Sequence, residues 1–333
     1  MMKLIRYLLF PVVPFYFMVT WLRNKFYDWG VFTSTQYDIP IICVGNLSVG
    51  GTGKSPMIEY LIDLLKQDNR IATLSRGYKR STNGFIVADQ QATALTIGDE
   101  PYQFYTKFKD IIVAVDANRK HGISKLMQLV DPPQLILLDD AFQHRKVKAN
   151  FYILLTPSDD LYINDMVLPT GNLREPRNGA KRADIIVVTK CKEQMPESEK
   201  KRLIQLLKPN NAQQVFFSWI DYSDTIKNAL CEEALGFLSD KEFTLVSGIA
   251  NSRPLVDFLQ SKHLRFEHLN FNDHHEFTSK DIQTLKEKQW ILTTEKDYMR
   301  LSPNFTGDKK LFYLPIKLKI DRPKQFEELI KSI

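Results

Sequence analysis

From residue 34 onward, short apolar runs rich in β-branched residues alternate with stretches whose apolar positions recur at helical spacing. Runs at 40–44, 70–74, 111–115, 135–138, 151–155 and 184–188 read as buried strands. Between the first two, Ile58, Leu61, Ile62 and Leu65 recur at i, i+3, i+4 and i+7, one face of a helix. A polar segment at 221–228 interrupts the pattern, and a second alternation follows, with strands at 243–246, 290–293 and 310–314. Strands separated by helices predict mostly parallel sheets. The expected fold is therefore α/β in two units, a larger one over residues 34–222 and a smaller α/β unit over 223–333, with the boundary near 220–230.

Residues 1–33 follow a different rule. Lys3 and Arg6 precede an uncharged stretch at 7–22, and Arg23 and Lys25 follow it. At about 1.5 Å per residue a helix of that length reaches ~24 Å, short of the roughly 30 Å hydrocarbon core of a bilayer. Pro11 and Pro14 are expected to break it further. Tyr7, Tyr16, Trp21, Tyr27 and Trp29 are residue types that favour the headgroup level. The segment reads as a membrane-associating helix, embedded or monotopic, with a buried core helix as the alternative. No small-x-small cleavage site follows, which disfavours a signal peptide.

Composition changes this picture in three respects. With 333 residues, 44% of them hydrophobic, the chain can bury two cores. Cys43, Cys191 and Cys231 are far apart and lack metal-ligand spacing, so neither a disulfide framework nor a zinc site is expected. The net charge of +6 suits an anionic partner such as lipid or phosphate, while the scattered Lys and Arg form no nucleic-acid module, so no nucleic-acid partner is expected.

The candidate chemistry centres on Ser48, Val49, Gly50, Gly51, Thr52, Gly53, Lys54 and Ser55, between the first strand and the first helix. A Walker A loop reads G-x-x-x-x-G-K-[ST]; here the first position is Ser48, but Gly53-Lys54-Ser55 complete the pattern. The glycines let backbone N–H groups converge on phosphate oxygens, Lys54 can bridge the β and γ phosphates, and Ser55 can ligate Mg²⁺. Pro56 stands where a Rossmann loop would need a small residue. An acid at the end of a buried strand should accompany such a loop, and Asp139 closes the apolar run 135–138. Asp140 is either a second acidic ligand or acceptor, or a turn residue.

Taken together, GNLSVGGTGKSP, LSRGYKR (74–80), GDEP (98–101), DDAFQHR (139–145), LPTGNLREP (168–176), FNDHH (271–275) and TEKD (294–297) resemble the tetraacyldisaccharide 4′-kinase family of lipid A biosynthesis. The resemblance extends over nearly the whole chain. Two positions depart from the family pattern: Ser55 stands where Thr is common, keeping the hydroxyl, and Ala141 where Gly is common. The resemblance implies a P-loop kinase that uses ATP and Mg²⁺ to phosphorylate the 4′-hydroxyl of an acylated disaccharide 1-phosphate. It implies a peripheral or monotopic location at the inner membrane, catalytic units on the cytoplasmic side, without an obligate protein partner. It implies Asp99 as acceptor of the sugar hydroxyl's proton, aligned by His274, with Lys54 as the third catalytic residue and Glu100 at the metal or ATP site. Read alone, the GDEP segment is also a helix start, with acids at the positive end of the helix dipole. His274 rather than His275 matches the Asp-His pair of the motif. Arg119, and within the resembling segments Arg76, Gln143, His144, Arg174 and Glu175, are implied as contacts to ATP or lipid phosphate, or as supports. Lys296 is either a helix-start charge or a site residue. The competing class is a membrane-associated nucleotide switch with a protein partner. Its relatives place a lysine before the paired glycines, where this chain has Val49, and 187–193 (VVTKCKE) lacks the Asn and Asp of a guanine-reading segment.

Overall fold

The computed structural model describes residues 6, 8–273 and 275–333. Among these, β1 (Ile41–Asn46), β2 (Ile71–Ser75), β3 (Ile86–Val87), β4 (Ile112–Val115), β5 (Leu135–Asp139), β6 (Phe151–Pro157), β7 (Ile185–Thr189) and β8 (Gln214–Tyr222) come first. They are followed by β9 (Thr225–Lys227), β10 (Glu232–Ala234), β11 (Phe243–Ser247), β12 (Phe266–Asn270), β13 (Ile291–Thr294), β14 (Leu311–Leu314) and β15 (Ile316–Ile320). They form two sheets, ordered β15-β8-β7-β6-β1-β5-β2-β4-β3 and β10-β9-β14-β13-β11-β12. In the first sheet, β8 through β4 run parallel, and antiparallel β15 and β3 form its edges. The expectation of mostly parallel α/β sheets is met.

Parallel strands covered on both faces must be apolar throughout, which is why β1, β2, β5 and β7 are buried along their full length. One face packs Ile42, Val44 and Leu137 against Met57, Ile58 and Leu61 of the Lys54–Leu65 helix. The chain builds β2 to β5 on one side of β1 and β6 to β8 on the other. That switch opens a crevice at the C-terminal ends of the central strands, the place where open α/β sheets bind ligands. The phosphate loop leaves β1 there.

The two sheets are joined twice. The chain leaves β8 into the second sheet and returns from β14 through Pro315 into β15, where Ile316 pairs with Tyr222. The two connections lie side by side, the Ser223 N–H donating to the Pro315 carbonyl at 3.0 Å. Phe326 and Ile330 of the Pro323–Lys331 helix then pack into the core under the first sheet. The Asp99–Lys107 helix lies against the Glu295–Leu301 helix, which follows β13 of the second sheet.

The prolines near the amino terminus do not interrupt the first helix as expected. Pro14 occupies the first turn of the Val13–Asp28 helix, where a missing N–H costs nothing, and Pro11 lies in a preceding 3₁₀ turn, Phe10–Val12. No helix among the described residues is long and apolar enough to cross a membrane. The helix is held by polar contacts: Tyr16 OH donates to the Arg174 carbonyl, Arg23 to that of Gln143, and Asn24 Nδ2 to Glu175 Oε2 at 2.6 Å. Its opposite side leaves Phe15, Phe17, Met18, Val19 and Leu22 exposed.

Candidate phosphate-transfer site

Gly53 has φ +90 and Gly50 φ +117, backbone conformations that L side chains rarely adopt, so the loop's course depends on glycine at both places. The loop is pinned from both sides. On one, the Val49 N–H donates to the Asn172 carbonyl and that of Arg174 to the Leu47 carbonyl, each at 2.8 Å. On the other, the buried Thr189 hydroxyl at the end of β7 donates to the Thr52 carbonyl at 2.8 Å. The LPTGNLREP and VVTK segments are thus the walls of the loop.

Lys54, the first residue of the helix, donates to Asn46 Oδ1 at 3.3 Å and lies 3.7 Å from Asp140. Asp140, in a left-handed turn at φ +49, accepts from Arg174 Nη1 on both oxygens at 2.8 and 3.0 Å. Burial alone would raise its pKa, but Lys54 and Arg174 hold it below the ordinary carboxylate value. Asp139 behaves oppositely. Burial, reinforced by the Glu100 and Asp140 charges and opposed by Lys54 and Arg119, pushes it up to about 7, and its Oδ1 is buried with no hydrogen-bond partner. The two neighbouring acids therefore play different electrostatic parts.

Arg119 is buried and holds the backbone of this turn, donating to the Asp116 carbonyl at 2.8 Å and to that of Asp139 at 3.1 Å. His144 is held neutral, pushed down to about 4 first by burial and then by Arg119 and other nearby cations. Arg76 is exposed and lies near enough to act on both. Gln143 Nε2 donates to the Asn46 carbonyl and to Glu175 Oε1. Glu175 is 2% exposed, and its carboxylate accepts from Arg182, Asn24 and Gln143, tying the Val13–Asp28 helix to the site wall.

Asp99 starts the Asp99–Lys107 helix after Gly98, as the helix-start reading of GDEP expects, and its Oδ2 accepts from Arg300 Nη2 at 2.6 Å and Nε at 3.1 Å. Lys296 lies 3.8 Å from Glu100 and 3.6 Å from Asp273, so the TEKD helix faces the GDEP helix with complementary charge. His274 lies outside the described residues. His275 is engaged elsewhere, its Nε2 3.1 Å from Asp281 Oδ2 and its ring stacked on Phe271. Sequence reasoning missed Arg300, and also Lys107, which bridges Glu59 at 2.7 Å and Glu295 at 3.0 Å. The available signal was Arg300 one helical turn beyond Asp297, the last residue of TEKD.

A metal partner for a P-loop needs few protein donors, because Mg²⁺ keeps waters and phosphate oxygens. No group of three or more His, Cys, Asp or Glu able to hold a metal occurs among the described residues. The buried, unpartnered Asp139 oxygen close to Glu100 and to the loop bearing Ser55 fits the smaller requirement.

Comparison with known proteins decides between the kinase and switch classes. The family model described as tetraacyldisaccharide-1-P 4′-kinase matches residues 5–333. The chain belongs to this family. Similar proteins include the tetraacyldisaccharide 4′-kinases of Flavobacterium johnsoniae, 49% identical over 95% of this chain and 93% of the relative, and of Flavobacterium psychrophilum, 50% identical over 99% and 97%. A crystal structure of "apo" form LpxK from Aquifex aeolicus in complex with ATP superposes with a TM-score of 0.81. It is 29% identical, covering 98% of this chain and 99% of that one. The family's reaction is phosphorylation of the 4′-hydroxyl of a tetraacyldisaccharide 1-phosphate, a step of lipid A biosynthesis, and this chain is such a kinase.

Proposed function

We propose that ATP is the phosphoryl donor, lying along residues 48–55 with Lys54 on its β and γ phosphates. The carrying observation is the charge arrangement at the loop: Lys54 beside Asp140, with Asp139 buried, its Oδ1 without a hydrogen-bond partner, and Glu100 close by. Mg²⁺ would be held by the Ser55 hydroxyl and Asp139, with Glu100 close by, and would neutralise charge on the transferring phosphoryl group. Arg174 keeps Asp140 ionised and oriented, while Arg119 fixes the turn that carries both acids. Gln143, His144, Arg76 and Glu175 act as supports around the phosphate-bearing part of the site.

Phosphoryl transfer needs positioning more than a strong base. We assign to Asp99 the orientation of the 4′-hydroxyl and the acceptance of its proton late in transfer, with His274 aligning it. We also divide the chain into a loop-bearing unit and a second unit whose TEKD helix approaches the GDEP helix. The exposed apolar side of the Val13–Asp28 helix would rest in the cytoplasmic face of the inner membrane, bringing the acylated sugar to the site without a partner protein. The test is transfer of labelled γ-phosphate from ATP to detergent-dispersed tetraacyldisaccharide 1-phosphate, with and without Mg²⁺, in wild type and Asp99→Ala. Metal-dependent transfer that falls by about 10²-fold or more in the variant is expected. Wild-type kcat in Asp99→Ala refutes the assigned role.

A further inference from the structure

Asp99 does not stand alone on its helix. The guanidinium that contacts it belongs to Arg300, 10% exposed, on the Glu295–Leu301 helix of the second unit. Arg300 is itself anchored: its Nη1 donates to Asp297 Oδ1 at 3.2 Å. Asp297 is fully buried, and its Oδ2 accepts from the Gly248 N–H at 2.8 Å and the Thr294 hydroxyl at 2.7 Å. A continuous chain of charge-assisted bonds therefore runs from the end of β11 through Asp297 and Arg300 to Asp99. Arg300 Nη1 also reaches the His275 carbonyl at 3.5 Å, so one guanidinium meets both the GDEP helix and the FNDHH segment.

An exposed ion pair contributes little, but this one is shielded and rigid at both ends. Two N–H groups of a planar fork on one carboxylate oxygen fix its direction, which a lysine cannot do. A carboxylate has about four acceptor sites, so this contact does not exhaust the capacity of Asp99 to take a hydroxyl proton. We propose that Arg300 is a positioning residue for phosphoryl transfer, supplied by the second unit, which aims the Asp99 carboxylate at the acceptor hydroxyl so that the acceptor site is complete only when the two units are docked. This rests on Asp99 being the proton acceptor.

The experiment measures kcat, and KM for ATP and for the lipid, in Arg300→Met, Arg300→Lys, Asp99→Ala and the Asp99→Ala/Arg300→Met double variant, alongside Tm. Arg300→Met is expected to lower kcat by roughly 10²-fold, the loss typical of a reacting group displaced by about 1 Å. KM for ATP should stay within about twofold of wild type. Arg300→Lys should recover about tenfold of the loss, and the double variant should be no slower than Asp99→Ala, as for residues acting as a unit. Wild-type kcat in Arg300→Met beside an inactive Asp99→Ala overturns the positioning role and leaves Asp99 standing. So do losses that multiply in the double variant, or a rise in KM for ATP at unchanged kcat. Wild-type turnover in Asp99→Ala overturns both assignments. If Arg300→Met does not fold, Arg300→Lys carries the test: reduced kcat at wild-type Tm supports the role, and wild-type kcat overturns it.

Discussion

Replacing Lys107 by Met removes the cation that joins three helices: its own, the phosphate-loop helix through Glu59, and the Glu295–Leu301 helix through Glu295. The two carboxylates are 8% and 5% exposed, so they would remain buried without their partner. Breaking a buried pair from one side costs about 3–5 kcal/mol. With an unfolding entropy of about 2.1 cal/mol/K per residue, a chain of this length should lose about 4–7 °C in Tm. The pH dependence is the sharper test. Burial, opposed by Lys107 and reinforced by Glu295, already lifts Glu59 to about 7, while Lys107, despite its own burial, is raised by the two carboxylates. The first shift says that ionising Glu59 is costly and the second that the cation is stabilised. Both follow from one lysine serving two acids, so Lys107 stays charged and Glu59 is the group that titrates. A carboxyl whose folded pKa exceeds its unfolded value contributes stability below the unfolded pKa, and that contribution is lost as pH rises through the folded one. Without Lys107 the folded value moves higher, so the deficit relative to wild type should be largest near about pH 8.5 and shrink toward about pH 6. Scanning calorimetry across that range, with Glu59→Gln added to recover stability, reads this directly. A Tm unchanged at the alkaline end, or a deficit that grows on acidification, would show that the triad is not an interior charge cluster.

Asp139→Asn should abolish Mg²⁺-dependent transfer yet raise Tm without added metal at about pH 8, because burial lifts the folded-state acid to about 7 and so opposes an ionisation that the unfolded chain undergoes freely; calorimetry and the transfer assay together check it, and the Tm gain should shrink as pH falls from about 7 and vanish below about pH 4. Phe15→Ser/Met18→Ser/Leu22→Ser, on the exposed side of the first helix, should weaken sedimentation with anionic vesicles by about tenfold or more while lowering Tm by no more than about 2 °C, since these exposed side chains belong to none of the core clusters. Unchanged vesicle binding would remove that helix from the membrane contact.

What could be read in advance was what local pattern encodes. Strands such as β5 and β7 are uninterrupted apolar runs, and the 54–65 helix repeats its apolar face every turn, so both appear in sequence much as they fold. The Gly-Lys-Ser loop and Asp139 follow from the same strand-loop-helix logic. The return of β15 to β8 was invisible, because pairing between distant segments leaves no local periodicity. The proline misreading came from treating Pro14 as interior to a helix when it lies at its start. The opposite protonation tendencies of Asp139 and Asp140 depend on which of them Arg174 reaches, a fact of three dimensions. Lys107, Glu59, Glu295 and Arg300 are ordinary charged residues at ordinary helical spacing until the packing of their helices brings them together.

The side-by-side connections also impose an order on assembly. Tyr222 meets its partner Ile316, 94 positions further along the chain. At roughly 5–20 residues per second of synthesis, that interval lasts on the order of several seconds, during which the β8 edge is without its neighbour. The Phe326 and Ile330 side chains that complete the underlying core arrive later still. A nascent chain thus holds an open strand edge and an uncapped apolar face while the second sheet is made, the features that recruit chaperones or invite aggregation. Slowing the ribosome within the segment between β8 and β15 should lengthen that exposure without altering the finished enzyme.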